Sequence, residues 1–92
     1  MKIKVHFHGI LADWVGTGEA DFALRAGSPF ADLMALIAQR YSRKMPEQLW
    51  DKGNNSFVKA VWAMRGDQRM ADLKEPLKEG EVIKFLLMQA GG

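Results

Sequence analysis

Residues 26–44, AGSPFADLMALIAQRYSRK, decide the fold class of this chain. Their large apolar side chains recur at helical spacing and form one stripe: Phe30, Leu33, Met34, Ile37 and Tyr41. Ser28 is a favourable N-cap, and Pro29 suits the first helical position. Pro46 ends the pattern or follows it closely. The stretch therefore predicts one amphipathic helix with a single buried face.

Two strands are predicted before this helix. Residues 2–8, KIKVHFH, alternate strictly, and their apolar face carries Ile3, Val5 and Phe7. A turn-rich segment follows, and residues 19–25 then form the second strand of a hairpin. We expect Phe22 to lie on the inner face of that second strand.

Three further strands are predicted after the helix: residues 57–64, a short one within residues 68–73, and residues 82–88. A connector that contains Pro76 and Gly80 precedes the last strand. One helix can cover only one face of a sheet. The order of elements therefore predicts an α+β domain, in which a sheet of four to five strands packs on one main helix.

The two longest strands after the helix are apolar on both faces. Such strands are normally buried on both sides, but a single helix leaves one face of the sheet uncovered. Because lysine is rarely buried without a partner, the faces that carry Lys59 and Lys84 are predicted to point outward. This choice places Trp62 in the core and predicts an exposed apolar patch of Val61, Ala63, Leu86 and Met88. Such a patch indicates a partner or oligomer interface.

The composition excludes several functional classes. The 92 residues allow one domain, and the absence of cysteine excludes disulfides, thiolate metal sites and a cysteine nucleophile. A net charge of +2 with interspersed signs does not favour nucleic-acid binding. Without a signal-like or membrane-spanning segment, a cytoplasmic protein with no membrane contact is expected. We interpret His6 and His8 as solvated strand residues, since no third metal ligand is near in sequence.

The last eight residues, FLLMQAGG (85–92), join an apolar strand to two glycines. Two terminal glycines occur by chance in about 0.5% of chains, at roughly 7% glycine per position. Glycine has no Cβ, so it enters narrow spaces and backbone conformations that are closed to other residues. The two terminal glycines are therefore either an accident of length or a tail that is meant for a pocket in another molecule.

Residues 77–83, LKEGEVI, resemble the Leu-Lys-acid-Gly-acid-x-Val segment of the MoaD/ThiS-like sulfur carriers, ubiquitin-like β-grasp proteins that end in Gly-Gly. The resemblance covers nearly the whole chain in element order, and the length resembles the molybdopterin-synthase small subunit more than the thiamin branch. Two segments depart from the family pattern: residues 64–66, Met-Arg-Gly where Val-Asn-Gly is common, and residues 87–90, where proline is common. The resemblance implies a single β-grasp domain at residues 1–88 and a flexible diglycine tail at residues 89–92.

The resemblance also implies a cycle of sulfur transfer. An E1-like adenylyltransferase of the MoaB/MoeB/ThiF type would use ATP to adenylate the C-terminal carboxylate of Gly92, which would become a thiocarboxylate. A catalytic large subunit of the MoaE type, or another acceptor enzyme, would take the sulfur, with molybdopterin (molybdenum cofactor) biosynthesis as the expected pathway. The chain would then be no enzyme, but the non-catalytic small subunit of a sulfurtransferase such as molybdopterin synthase, with no bound cofactor or metal. Gly91 and Gly92 would form the tail, and the partner interface would be Lys59, Val61, Ala63, Lys84, Leu86 and Met88.

Other interpretations stay open at this point. Related carriers deliver sulfur to thiamin, cysteine or tRNA thiolation. A ubiquitin-like protein modifier would be activated in the same way and then joined through Gly92 to lysines of other proteins, so the sequence does not separate it from a carrier. A plain binding module would use the face of Leu86 and Met88, and would keep its function without the two terminal glycines.

Overall fold

The computed structural model describes residues 1–88 of the chain. Two α-helices are described, α1 (Ile10–Val15) and α2 (Phe30–Tyr41), and a single 3-10 turn, Ser42–Lys44, follows the second. The strands within the described residues are β1 (Lys2–Phe7), β2 (Glu19–Ala23), β3 (Trp50–Asp51), β4 (Ser56–Phe57), β5 (Val61–Arg65), β6 (Gln68–Met70) and β7 (Val82–Leu87).

Five of the strands form one mixed sheet in the order β2-β1-β7-β5-β6. The two central strands, β1 and β7, run parallel, and each other neighbouring pair is antiparallel. β3 and β4 form a separate two-stranded ribbon. The predicted α+β architecture, a sheet of four to five strands on one main helix, is therefore confirmed.

The core lies between α2 and the inner face of the sheet. The predicted helical stripe is buried in full, as is the predicted inner face of β1: Phe30, Leu33, Met34, Ile37 and Tyr41 from α2, with Ile3, Val5 and Phe7 from β1. Phe85 of β7 stacks with Phe30 at a ring-centroid distance of 6.3 Å and with Phe7 at 6.1 Å. The apolar spacing of α2 and β1 thus predicted which face of each element is buried.

Helix α2 begins one residue later than its N-cap signal indicated. Pro29 occupies the N-cap position and no side chain caps the helix, so the prediction of Ser28 as N-cap was wrong. The Phe30 and Ala31 N–H groups instead donate to the carbonyls of Glu75 and Leu73, at 2.8 and 2.9 Å. Backbone carbonyls from a distant loop therefore satisfy the first helical N–H groups, and sequence-local capping rules do not anticipate such partners.

Helix α1 was not predicted from the sequence. It has only six residues, and its buried side chains are Leu11 and Val15. Gly9 and Gly16 bracket it with φ angles of 58° and 87°, in the left-handed region that favours glycine. The two glycines look like turn signals in the sequence, and a helix of fewer than two full turns gives too short an apolar pattern to outweigh them. Within residues 1–88, no helix combines the length and the apolar character that crossing a membrane requires.

The predicted strand 57–64 is interrupted. β4 ends at Phe57 and β5 begins at Val61. A turn joins them, closed by the Val61 N–H, which donates to the Val58 carbonyl at 3.0 Å. Because the turn breaks the alternation, the position of Lys59 gives no information about which face of β5 is buried.

Four side chains of β5 therefore point the opposite way from the prediction. Val61 and Ala63 are 8% and 5% exposed and belong to the core, so the prediction that they face outward was wrong. Trp62 and Met64 are only half-buried and take the outward face, so placing Trp62 in the core was wrong as well. For β7 the prediction holds: Phe85 is buried, and Lys84 is exposed.

Candidate functional site

The outward face of β5 and β7 carries the largest group of apolar side chains on the open side of the sheet. Register pairs Trp62 with Leu86 and Met64 with Lys84, so the side chains of each pair lie next to one another. Trp62, Met64 and Leu86 are half-buried, and Met88 is exposed. We call this surface the outer patch, and it consists of Trp62, Met64, Leu86 and Met88.

Two cations border the outer patch. The guanidinium of Arg69, on β6, lies 4.1 Å from the centroid of the Trp62 ring, a cation–π contact. Lys84, which is paired with Met64, is exposed on the other side. An apolar surface with a positively charged border favours a protein partner whose own surface is apolar with acidic groups around it.

The other half of the outward face is polar and charged. Lys4 is paired with Asp21, and His6 with Glu19, across β1 and β2. The Nε2 atom of His6 lies 3.3 Å from the Glu19 carboxylate. No group of three or more His, Asp or Glu side chains in residues 1–88 is placed to hold a metal ion. Because charged side chains occupy β1 and β2, the apolar part of the outward face lies on β5 and β7.

The far end of β7 lies beside the outer patch. The Met88 N–H donates to the Ala60 carbonyl at 2.7 Å, which fixes the backbone at the last described residue. The His8 N–H donates to the Phe85 carbonyl at 3.0 Å, and α1 packs against β7. The sequence continues with Gln-Ala-Gly-Gly, and the predicted tail, with Gly91 and Gly92, lies outside the described residues.

The near end of β7 is held by Arg65, the last residue of β5. Its guanidinium forms a bidentate ion pair with Glu81, donates to the Glu75 carboxylate at 3.0 Å, and donates to the Pro76 carbonyl at 2.9 Å. The Arg65 and Glu81 side chains are 18% and 7% exposed. The hydrogen bond with Glu81 raises the pKa of Arg65. We call this network the Arg65 clamp; it ties the LKEGEV connector to the sheet.

A second carboxylate holds the same connector. Glu79 accepts hydrogen bonds from the N–H groups of Lys2, at 2.7 Å, and Gly80, at 3.0 Å. These bonds, chiefly that from Lys2, lower the pKa of Glu79. Glu79 and Glu81, the acidic residues of the segment that resembles the carrier family, thus hold the connector against the sheet.

The structure brings together only part of the predicted interface. Lys84, Leu86 and Met88 share the outward face, and Lys59 lies exposed in the turn before β5. Val61 and Ala63 lie beneath them in the core. The residues that sequence reasoning missed are Trp62, Met64 and Arg69. The alternation of β5 was the sequence signal for Trp62 and Met64, but Lys59 assigned them to the inner face, and no sequence pattern pointed to Arg69 on β6.

Known structures resemble this one over all or nearly all of its length. SAMP1 from Haloferax volcanii superimposes with a TM-score of 0.77 at 15% identity, covering 100% of both chains. The putative molybdopterin converting factor subunit 1 from Pyrococcus furiosus gives 0.70 at 22% identity, covering 97% of this chain and 99% of the other. A chain from the complex of molybdopterin-converting factor subunits 1 and 2 of Helicobacter pylori gives 0.62 at 20% identity, covering 100% of both.

The chain has the β-grasp fold. At these identities the likeness establishes the fold, and no protein-family model and no curated protein sequence matches the chain. The resemblance to the MoaD/ThiS-like carriers is thereby confirmed in the arrangement of β-grasp elements. In this β-grasp domain, the last strand is central in the sheet and ends beside the outer patch.

Proposed function

We propose that this chain is a ubiquitin-fold sulfur carrier that is activated at the carboxylate of Gly92. The observation that carries the proposal is the end of β7. A central, well-anchored strand reaches Met88 beside an apolar surface, and the sequence Gln-Ala-Gly-Gly follows. The fold neighbours, which include molybdopterin converting factor subunit 1 of Pyrococcus furiosus, support the same assignment.

The proposed chemistry begins with activation of a poor electrophile. The Gly92 carboxylate attacks ATP in an E1-like adenylyltransferase, pyrophosphate leaves, and the carbonyl becomes an acyl-adenylate. Hydrosulfide from the sulfur donor then attacks the acyl carbonyl, AMP leaves, and the product after loss of a proton is a thiocarboxylate. The thiocarboxylate sulfur then displaces a leaving group from the acceptor, and water hydrolyses the resulting thioester to give the acceptor thiol and the Gly92 carboxylate. The partner enzymes supply the acid–base groups, and this chain supplies the reacting carbonyl.

The outer patch is the proposed docking surface for these partners. Trp62 and Leu86 lie side by side at its centre, with Met88 toward the tail. Arg69 and Lys84 at its border would orient an acidic partner surface before the apolar contact forms. Aromatic and methionine side chains of this kind are enriched where protein interfaces are fully desolvated.

We propose molybdopterin biosynthesis as the destination of the sulfur and a catalytic large subunit as the acceptor. The support is the Helicobacter pylori neighbour, whose chain of the same fold is in a complex of subunits 1 and 2 of molybdopterin-converting factor. The test is the intact mass of the chain after incubation with an E1-like adenylyltransferase, ATP and a sulfur donor. We expect the mass to rise by the difference between sulfur and oxygen, in a C-terminal fragment that contains Gly92. An unchanged mass with several cognate E1-like enzymes would refute the proposal.

A protein modifier is the second candidate function. The observation that favours it is the likeness to SAMP1, the small archaeal modifier protein 1 of Haloferax volcanii, which superimposes with a TM-score of 0.77. A modifier would leave Gly92 in an isopeptide bond to a lysine of another protein. Purification of the tagged chain from cells under denaturing conditions, followed by peptide sequencing, distinguishes the two. Lysine-linked adducts would support the modifier, and their absence would leave the sulfur carrier.

A further inference from the structure

Two large apolar side chains on α1 are exposed and have no role in the core. Ile10 and Trp14 are 47% and 44% exposed, whereas Leu11 and Val15 of the same helix are buried. Residues four apart in a helix lie on the same face, so Ile10 and Trp14 are neighbours. We call this pair the α1 ridge. A six-residue helix thus carries two of the five large exposed apolar side chains in residues 1–88.

The α1 ridge lies at the end of the molecule from which the tail departs. β1 and β7 run parallel, with Phe7 opposite Phe85, so their carboxyl ends share one edge of the domain. α1 follows β1 after two residues, and the His8 N–H ties that junction to the Phe85 carbonyl. α1 also packs against β7 itself. The outer patch and the α1 ridge therefore both adjoin the strand that leads to Met88.

The length of the tail brings any enzyme that acts on it close to this edge. Four residues follow Met88, and a fully extended chain spans at most roughly 3.6 Å per residue, or about 14 Å in all. An active site that receives Gly92 must come within that distance of Met88. The protein surface around such an active site therefore has to cover the edge where α1 and β7 meet.

We infer that the α1 ridge is a second docking element for the E1-like adenylyltransferase that activates Gly92. The inference rests on the proposed function and adds a contact that the outer patch does not include. Tryptophan is the residue most enriched among side chains that dominate binding energy, and Trp14 is 44% exposed. A second copy of this chain fits less well, since two side chains are far from the roughly 800 Å² per partner that a stable dimer buries.

The test compares the double variant Ile10→Gln/Trp14→Gln with the native chain. The measurement is ATP–pyrophosphate exchange by the E1-like adenylyltransferase of the same genome, at varied carrier concentration. We expect the KM for the carrier to rise about tenfold, as for loss of a side chain that dominates binding energy. We expect kcat to stay unchanged, because Gly92 and its tail are intact. Glutamine is a good helix former, so α1 is kept.

Val82→Gln is the matched control. Val82 is 44% exposed, as Trp14 is, but it begins β7, about 17 Å from Leu87 at the rise of a strand. We expect its KM to stay within about twofold of the native value. Thermal unfolding of each variant checks folding, and Trp14→Gln alone serves if the double variant is unstable.

The outcomes separate this inference from the proposed function. An unchanged KM in a folded Ile10→Gln/Trp14→Gln variant would overturn the inference and leave the sulfur carrier in place. Absence of exchange with the native chain would refute the proposed function, and the inference with it. A concentration-dependent dimer of the native chain that disappears in the double variant would identify a second copy as the occupant and would also overturn the inference.

Discussion

The two ends of β7 are held in different ways. At its start, the Arg65 clamp and the Glu79 carboxylate bind the connector through charged hydrogen bonds to side chains and backbone. At its end, only backbone partners hold the strand: β5 pairs with it as far as Leu87, and the Met88 N–H donates to the Ala60 carbonyl. The side chains around this end are apolar and partly exposed. Between them, Phe85 is buried against Phe30 and Phe7.

The start of β7 therefore contributes mainly to stability, and its end offers surface for recognition. Charged groups at the start satisfy one another and leave little for a partner to bind. Apolar side chains at the end of β7 stay partly exposed, and a partner can cover them. Because hydrogen bonds hold the start of β7 and packing holds its middle, we expect its end to be pre-organised, so that binding there costs less ordering entropy. Each of the following predictions tests one part of the strand or the strand paired with it.

The largest effect is expected where β5 faces the middle of β7. Ala63 is 5% exposed and lies opposite Phe85, so Ala63→Lys would place an unpaired charge in the core. We expect it to lower the free energy of unfolding by about 4 kcal/mol or more, or to prevent folding. Met64→Lys, the neighbour on the outward face, should cost less than about 1 kcal/mol. Urea unfolding measures both, and equal losses would contradict the corrected assignment of faces.

The next effect is expected at the start of β7. Arg65→Ala leaves the Glu81 carboxylate, 7% exposed, without its cation. We expect a loss of about 2–3 kcal/mol in the free energy of unfolding, since a buried charge without its partner is costly. Arg69→Ala is the matched control from the same hairpin and should cost less than about 1 kcal/mol, the value of an exposed cation–π contact. A loss for Arg65→Ala no larger than the control would show that the clamp contributes nothing.

At the end of β7 we expect a substitution to change stability only slightly but to weaken binding of a partner. Leu86→Gln removes the cross-strand contact with Trp62, at a cost of about 1 kcal/mol or less. We expect affinity for the E1-like adenylyltransferase, measured by calorimetry, to fall about tenfold. Lys4→Gln, on the charged half of the same face, should leave that affinity within about twofold. Equal effects of the two variants would show that the outer patch is not the docking surface.

The smallest effect is a pH dependence at the start of β7. The pKa of Glu79 lies below its ordinary value of 4.5 because the Lys2 N–H, above all, donates to the carboxylate. A lowered pKa contributes stability above the ordinary value, and this contribution is lost as pH falls through the folded-state pKa. We therefore expect Glu79→Gln to have a lower Tm than the native chain at pH 7, with the gap closing below pH 4.5. A gap that stayed constant down to pH 3 would contradict this.

The sequence predicted the elements that repeat over many residues. The stripe of α2 and the alternation of β1 each provide several residues in phase, so the main helix, the first strand and the buried faces followed from spacing alone. The likeness of LKEGEVI to the carrier family added the β-grasp topology, which periodicity could not give.

The faces of β5 were assigned wrongly because a single residue, Lys59, decided which of them points outward. A turn at residues 59 and 60 carries neither glycine nor proline, so it left no turn signal, and Lys59 set the faces of β5 wrongly. The partners of Arg65 were also beyond reach, since Glu75 and Glu81 meet it only through the folded sheet. The side chains of the outer patch were therefore half missed, although its place on β7 was predicted.

The central claim is that the reactive group is the Gly92 carboxylate at the end of β7. The most direct measurement is ATP–pyrophosphate exchange by the cognate E1-like adenylyltransferase, with the full chain and with a chain shortened to Ala90. Both chains keep residues 1–88, and so should have the same Tm. We predict exchange with the full chain and none above background with the shortened one. Equal exchange with both chains, or none with either, would contradict the account.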